Sequence, residues 1–164
     1  SFGALGMDDQ PTTQQYENAI AEKLSQFNSD SFSEIWIEAE SSNLGKCRIP
    51  NNLFKQMQKS PRLEILRSKE ERIKKLVSIY SNHSKTALKE AILRISKRLG
   101  SERTSEAIKA IDNEDWGKAC SAMLDYYDKC YNYELRKANE VQKIDLTGLN
   151  LDSCLKKIQS KIDF

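Results

Sequence analysis

The sequence is poor in the features that announce most function classes. Its 164 residues hold four cysteines and a single histidine, His83. Cys47, Cys120, Cys130 and Cys154 show no CxxC spacing, so neither a zinc site nor a disulfide is expected, and reduced thiols of a cytoplasmic protein are the default. His83 sits in a polar stretch with no acid or serine at triad spacing, which argues against nucleophilic catalysis there. Apolar runs are only a few residues long, so no segment is expected to cross a bilayer as a helix and no membrane partner is expected. No charged-then-apolar leader is read at the start, and no initiating Met. Internal repeats, low-complexity tracts and long linkers are missing as well. Net charge is only +2, from 26 basic against 24 acidic residues. That is too little to mark a nucleic-acid binder, so such a case must rest on local clusters.

What is present is the composition of an ordinary soluble domain, 38% apolar and 30% charged. The length suits one domain, 1–164, with a sizeable core. Residues 1–10, with two glycines and no period, read as a loop in the middle of a longer chain. Thr12 and Gln15 have capping-box spacing ahead of the stripe Tyr16, Ala19, Ile20, Leu24 and Phe27, which predicts a helix ending near Asn28-Ser29-Asp30.

The next stretch organises the rest. Ile35, Ile37 and Ala39 alternate with Trp36, Glu38 and Glu40, the period of a β-strand. An apolar strand ending in carboxylates before a polar loop is how many α/β proteins build a ligand site. Glu38 and Glu40 are therefore the candidate catalytic acids. The rival view has one acid capping a turn and the other solvated.

Leu53, Phe54 and Met57 mark a short helix stopped by Ser60-Pro61. Leu63 to Leu66 is a second strand candidate, and Ser68 with Glu71 opens a helix faced by Ile73, Leu76, Val77 and Tyr80. Residues 82–137 read as a helical subregion. In it Leu88, Ala91, Ile92, Ile95 and Leu99 form one stripe, and Trp116, Ala119, Cys120, Met123, Leu124 and Tyr127 another, capped by Asn113. Val141 to Leu146 is the third strand candidate, and Leu151 to Ile162 the last helix. Strands separated by helices predict a helix-rich α/β fold with a largely parallel sheet of about three strands.

Arg94 and Arg98 share one side of a helix, and Arg103 follows across Gly100. Guanidinium forks bind phosphate oxygens at two points, so these three, with Arg48 and Arg67, are candidate phosphate contacts. A solvated, salt-bridged face is the rival. In the cluster from Asp125 to Tyr133, Tyr126 and Asp128 are the candidate substrate-binding residues, while Tyr127 continues the core stripe.

The ordered set Ser1-Phe2-Gly3, Gln10-Pro11, Tyr16-Glu17-Asn18, Trp36 to Ser41, Gly45, Ile49-Pro50, Arg98-Leu99-Gly100, Arg103 and Leu124 to Asp128 with Tyr131 resembles one family. It is the C-terminal, P-loop half of bacterial tRNA 2-selenouridine synthase. The resemblance implies a P-loop-like parallel sheet with an added C-terminal helical region, and makes this chain a C-terminal fragment of a larger P-loop domain. It implies a parent enzyme with an upstream rhodanese-like domain carrying a reactive cysteine. That parent geranylates wobble 2-thiouridine in tRNA with geranyl diphosphate and then installs selenium from selenophosphate. The chain departs from the pattern in having neither a rhodanese domain nor a GxxxxGK motif followed by Ser or Thr, so none of its four cysteines takes the rhodanese role. On this footing the fragment carries no cofactor of its own and supplies part of a tRNA and diphosphate surface. Two other classes stand beside it: a non-catalytic RNA- or protein-binding module, and a small-molecule kinase relative.

Overall fold

A computed structural model of the chain describes residues 5, 7–27, 35–138 and 140–162. These form two compact units, one over Met7–Arg62 and one from Leu63 onward that takes in Leu5.

The first unit begins with α1 (Thr13–Ser25). Its capping box closes as the spacing predicts: the Gln15 N–H donates to Thr12 Oγ1 at 3.3 Å, and the Thr12 N–H donates to Gln15 Oε1 at 2.9 Å. α1 ends at Ser25, three residues short of the predicted Asn28-Ser29-Asp30 stop, which lies outside the described residues. Beside α1 lies a small antiparallel hairpin, β1 (Asn43–Leu44) and β2 (Cys47–Arg48). Its turn is clamped by one side chain. Gln10 Nε2 donates to Leu44 O at 2.7 Å, and Gln10 Oε1 accepts from the Lys46 N–H at 2.8 Å. Gly45 sits between them at φ 64°, where a Cβ would lie 2.1 Å from Gln10 Oε1. Gly45→Ala is therefore expected to cost this hairpin about 1 kcal/mol for the left-handed backbone alone. It should also dislodge the Gln10 amide. Amide exchange at Lys46 checks this: faster exchange in the variant is expected, and unchanged protection would remove the clamp. Helix α2 (Asn51–Lys59) completes the unit.

The predicted strand over Ile35 to Glu40 is not formed. The segment is irregular, and Ile35, Trp36 and Ile37 are 44%, 56% and 48% exposed. A strand needs a neighbour for its backbone N–H and C=O groups. Here the backbone bond within the segment is a local one, Glu40 N–H to Glu38 O at 2.8 Å.

In the second unit β3 (Arg62–Leu66) pairs with β4 (Val141–Asp145). The Leu146 N–H donates to Leu66 O at 2.8 Å and Lys143 reaches Glu64 at 2.9 Å, so both strands run the same way. A parallel pair is thus present, and among the described residues it has two strands where about three were predicted. α7 (Leu151–Ile162) covers it, packing Cys154 and Ile158 on Leu63, Ile144, Leu146 and Leu149.

The crossover between the strands is a helical bundle: α3 (Lys69–Tyr80), α4 (Lys85–Leu99), α5 (Ser101–Asp112) and α6 (Trp116–Leu135). Its core joins Leu88, Ile92 and Leu99 of α4 to Ala107, Ala110 and Ile111 of α5 and to Ala119, Ala122 and Met123 of α6. The sequence stripes did not mark α5. Its buried face is Thr104, Ala107, Ala110 and Ile111, too small a set of apolar side chains to stand out. Gly100, at φ 91°, ends α4 and starts α5. Asn113 closes α5 and does not cap α6; that cap is Asp115, whose side chain accepts from the Lys118 N–H at 3.0 Å.

Candidate functional site

Ligand sites in parallel sheets gather at the carboxyl ends of the strands. Arg67 follows β3 at that end, with its fork turned into the protein. Nη1 donates to Leu149 O at 3.3 Å, Nη2 contacts Cys154 Sγ at 2.9 Å, and Glu71 lies 3.5 Å away. Glu71 does double duty: its carboxylate returns to the Ser68 N–H at 3.3 Å and accepts from the Gly148 N–H at 2.8 Å. The Gly148 bond, above all, holds that carboxyl below the usual range, with the Ser68 bonds and the Arg67 charge adding to it against partial desolvation. Arg67 and Glu71 therefore lock the loop after β4 onto the start of α3.

A second cluster lines the seam of α3 and α6. Arg72 grips Asp128 with both nitrogens, Nη1 to Oδ1 at 2.6 Å and Nη2 to Oδ2 at 2.9 Å. Lys69 donates to Asp125 at 2.7 Å. Tyr126 is half-buried against the helical core. Burial pushes its hydroxyl pKa up, hydrogen bonding to Cys130 adds to that, and Arg98 works the other way. Its ring meets Tyr127 edge-on at 5.3 Å, and Tyr127 continues to Tyr131 at 6.5 Å.

The sequence reading placed Arg94, Arg98 and Arg103 in one patch. Arg94 and Arg98 are exposed on α4, Arg94 within 3.6 Å of Glu90 and Arg98 reaching Tyr126. Arg103 is half-buried on the next helix, beyond the bend at Gly100.

Glu38, Glu40 and Arg48 belong to the first unit. Glu38 and Arg48 are exposed, and Glu40 is half-buried with Oε2 accepting from the Ser41 N–H at 3.3 Å. Tyr16 lies near enough to feel Glu40 and Cys47, although burial is the larger cause of its raised pKa.

Sequence reasoning missed Arg72 and Lys69, because no local pattern links them to acids 56 positions away. Nor does any local pattern link Gln10 to the turn at Gly45 that it clamps through Leu44 and Lys46. Among the described residues no group of three or more His, Cys, Asp or Glu is placed to hold a metal, and no helix is long and apolar enough to cross a membrane.

Comparison with known proteins gives one consistent answer. The family described as tRNA 2-selenouridine synthase AAA domain matches residues 1–161. The tRNA 2-selenouridine synthase of Marinobacter nauticus is 29% identical over 86% of this chain and 46% of its own length. Those of Hydrogenovibrio crunogenus and Shewanella frigidimarina are 26% and 24% identical, over 88% and 85% of the chain and 45% and 46% of their lengths. The chain thus spans just under half the length of these relatives. No solved structure matches it.

Proposed function

The chain belongs to the family of the tRNA 2-selenouridine synthase AAA domain, and on that footing we propose that it is the C-terminal part of a tRNA-modifying transferase and supplies part of its tRNA- and diphosphate-binding surface. The family match over residues 1–161 carries this reading. The exposed Arg94 and Arg98 support it by giving α4 a cationic face, the chemistry a phosphate backbone selects. The complete enzyme would geranylate the sulfur of wobble 2-thiouridine from geranyl diphosphate and then exchange that group for selenium from selenophosphate. The sequence holds no GxxxxGK motif, so the backbone cradle for a diphosphate would come from a P-loop segment outside these residues. A rhodanese-like domain would supply the reactive cysteine. Glu38 and Glu40 are the acids proposed to serve the phosphate-handling site.

The test is a salt titration of tRNA binding by the complete enzyme, paired with nucleoside analysis after incubation with 2-thiouridine tRNA, geranyl diphosphate and selenophosphate. Each phosphate contact contributes about 0.7–0.9 to the slope of log K against log salt, so Arg94→Ala/Arg98→Ala should flatten the line by roughly 1.5. Parallel lines would remove these arginines from the surface. Binding without any modified nucleoside would favour a non-catalytic RNA-binding module.

A further inference from the structure

Beside the arginines of α4 runs a feature the sequence did not suggest. An open groove of about 710 Å³ separates the C-terminal half of α4 from α5. Its charged lining is all of one sign: Lys97 from α4 and Lys109 from α5. The hydroxyls of Ser101 and Ser105 line it as well, and Ile108 adds an apolar wall.

Some lysines of this bundle are ion-paired among the described residues, Lys85 with Glu114, Lys89 with Asp112 and Lys118 with Glu106, and others are left to solvent. Among the described residues neither Lys97 nor Lys109 has a carboxylate within ion-pair reach. The nearby acids are used elsewhere: Glu90 faces Arg94, Glu106 faces Lys118, and Asp112 faces Lys89. Glu102, in the first turn of α5, is not part of the lining. A groove with two unneutralised cations and two hydroxyls complements an anion with several oxygens.

We propose that this α4–α5 groove seats the sugar-phosphate backbone of RNA. The proposal rests on the tRNA-modifying reading above and adds a specific seat to it. Lys97 stands one helical turn beyond Arg94, so the cations continue from Arg98 and Arg94 through Lys97 and across the groove to Lys109. An array of that length suits a repeating polyanion better than a single ionic group. The lysines take phosphate oxygens, Ser101 and Ser105 donate to phosphate or ribose oxygens, and Ile108 offers a surface for the sugar.

The experiment measures binding of unmodified tRNA to the complete protein across a salt series. The proteins are wild type, Lys97→Ala/Lys109→Ala and the charge-keeping Lys97→Arg/Lys109→Arg, with poly-glutamate as competitor. Two lost contacts at about 0.7–0.9 each should flatten the salt slope of the alanine variant by about 1.4–1.8, with the arginine variant keeping the wild-type slope. Both lysines are exposed, so an unchanged melting curve is expected and separates lost contacts from lost fold. Wild-type binding with a parallel line for the alanine variant overturns the groove while leaving the tRNA reading intact. No wild-type binding at any salt overturns that reading and the groove with it. Displacement of tRNA from wild type by poly-glutamate at equal charge, undiminished in the alanine variant, also overturns the groove.

Discussion

Ile92→Ala is expected to remove about 2–5 kcal/mol of stability from the helical unit. Ile92 is 1% exposed at the centre of α4, where Leu88 and Leu99 continue its stripe and Ala107, Ala110, Ala119 and Ala122 face it from the neighbouring helices. Ile111 and Met123 belong to the same cluster, and how far they can move into the space left at Ile92 sets where in that range the cost falls. Leu93, its neighbour in sequence, is 53% exposed, and Leu93→Ala should change stability by no more than about 0.5 kcal/mol. Thermal melts of the two variants check the assignment of faces. Equal shifts would mean that this stripe of α4 does not carry the core.

Asp128→Ala should cost about 2 kcal/mol, a surprising amount for an aspartate on a tyrosine-rich helix. Charge-assisted bonds contribute about 1.5–3 kcal/mol, and the Arg72–Asp128 pair is bidentate. The two side chains are 37% and 32% exposed, so solvent screening pulls the value toward the lower part of that range. Two features keep it from vanishing as surface pairs often do. Arg72 Nε is buried without a hydrogen-bond partner among the described residues, so the rest of the fork has to be satisfied by Asp128. The pair also joins α3 to α6 across 56 positions of sequence. Lys69–Asp125, with side chains 41% and 49% exposed, is the internal control and should contribute at most about 1 kcal/mol. A double-mutant cycle with Arg72→Ala isolates the coupling. If Asp128 served only a bound substrate, its loss would weaken tRNA binding, leave the melt unchanged and show no coupling to Arg72.

The same contact explains the tyrosine and aspartate stretch of α6. Asp125 and Asp128 are engaged by α3, and Tyr126 and Tyr127 lean on the helical core. Arg98 meets Tyr126 at the edge of that packing. The cationic face of α4 thus adjoins a packed seam, which would hold the proposed phosphate-binding groups at fixed spacing and lower the entropy lost on binding.

Two of the helix starts were legible from the sequence. Thr12 with Gln15 and Ser68 with Glu71 are three residues apart, and both boxes close in the structure because nothing beyond one helical turn is needed. The stripe on α4, β3, β4 and α7 were legible for the same reason: each follows from the period of its own segment. Family membership, too, was readable from short motifs in order.

Tertiary structure decided the rest. Alternation over Ile35 to Glu40 is a property of one strand, whereas a sheet is a property of two, and no pairing strand meets that segment among the described residues. α5 is held largely by Ala107, Ala110 and Ile111 in the shared core, and small side chains acquire their worth only when another helix is pressed against them. The candidate site divides along the same line. Arg67, Arg94 and Asp128 were found by residue type, but whether a charge faces solvent or a partner depends on groups far away in sequence. Arg67 met Leu149 and Cys154, Asp128 met Arg72, and Lys97 and Lys109 came to line one groove with no ion-paired acid for either among the described residues. Periodicity specifies which face of an element is apolar; only the packed chain specifies what that face, and the charges beside it, will touch.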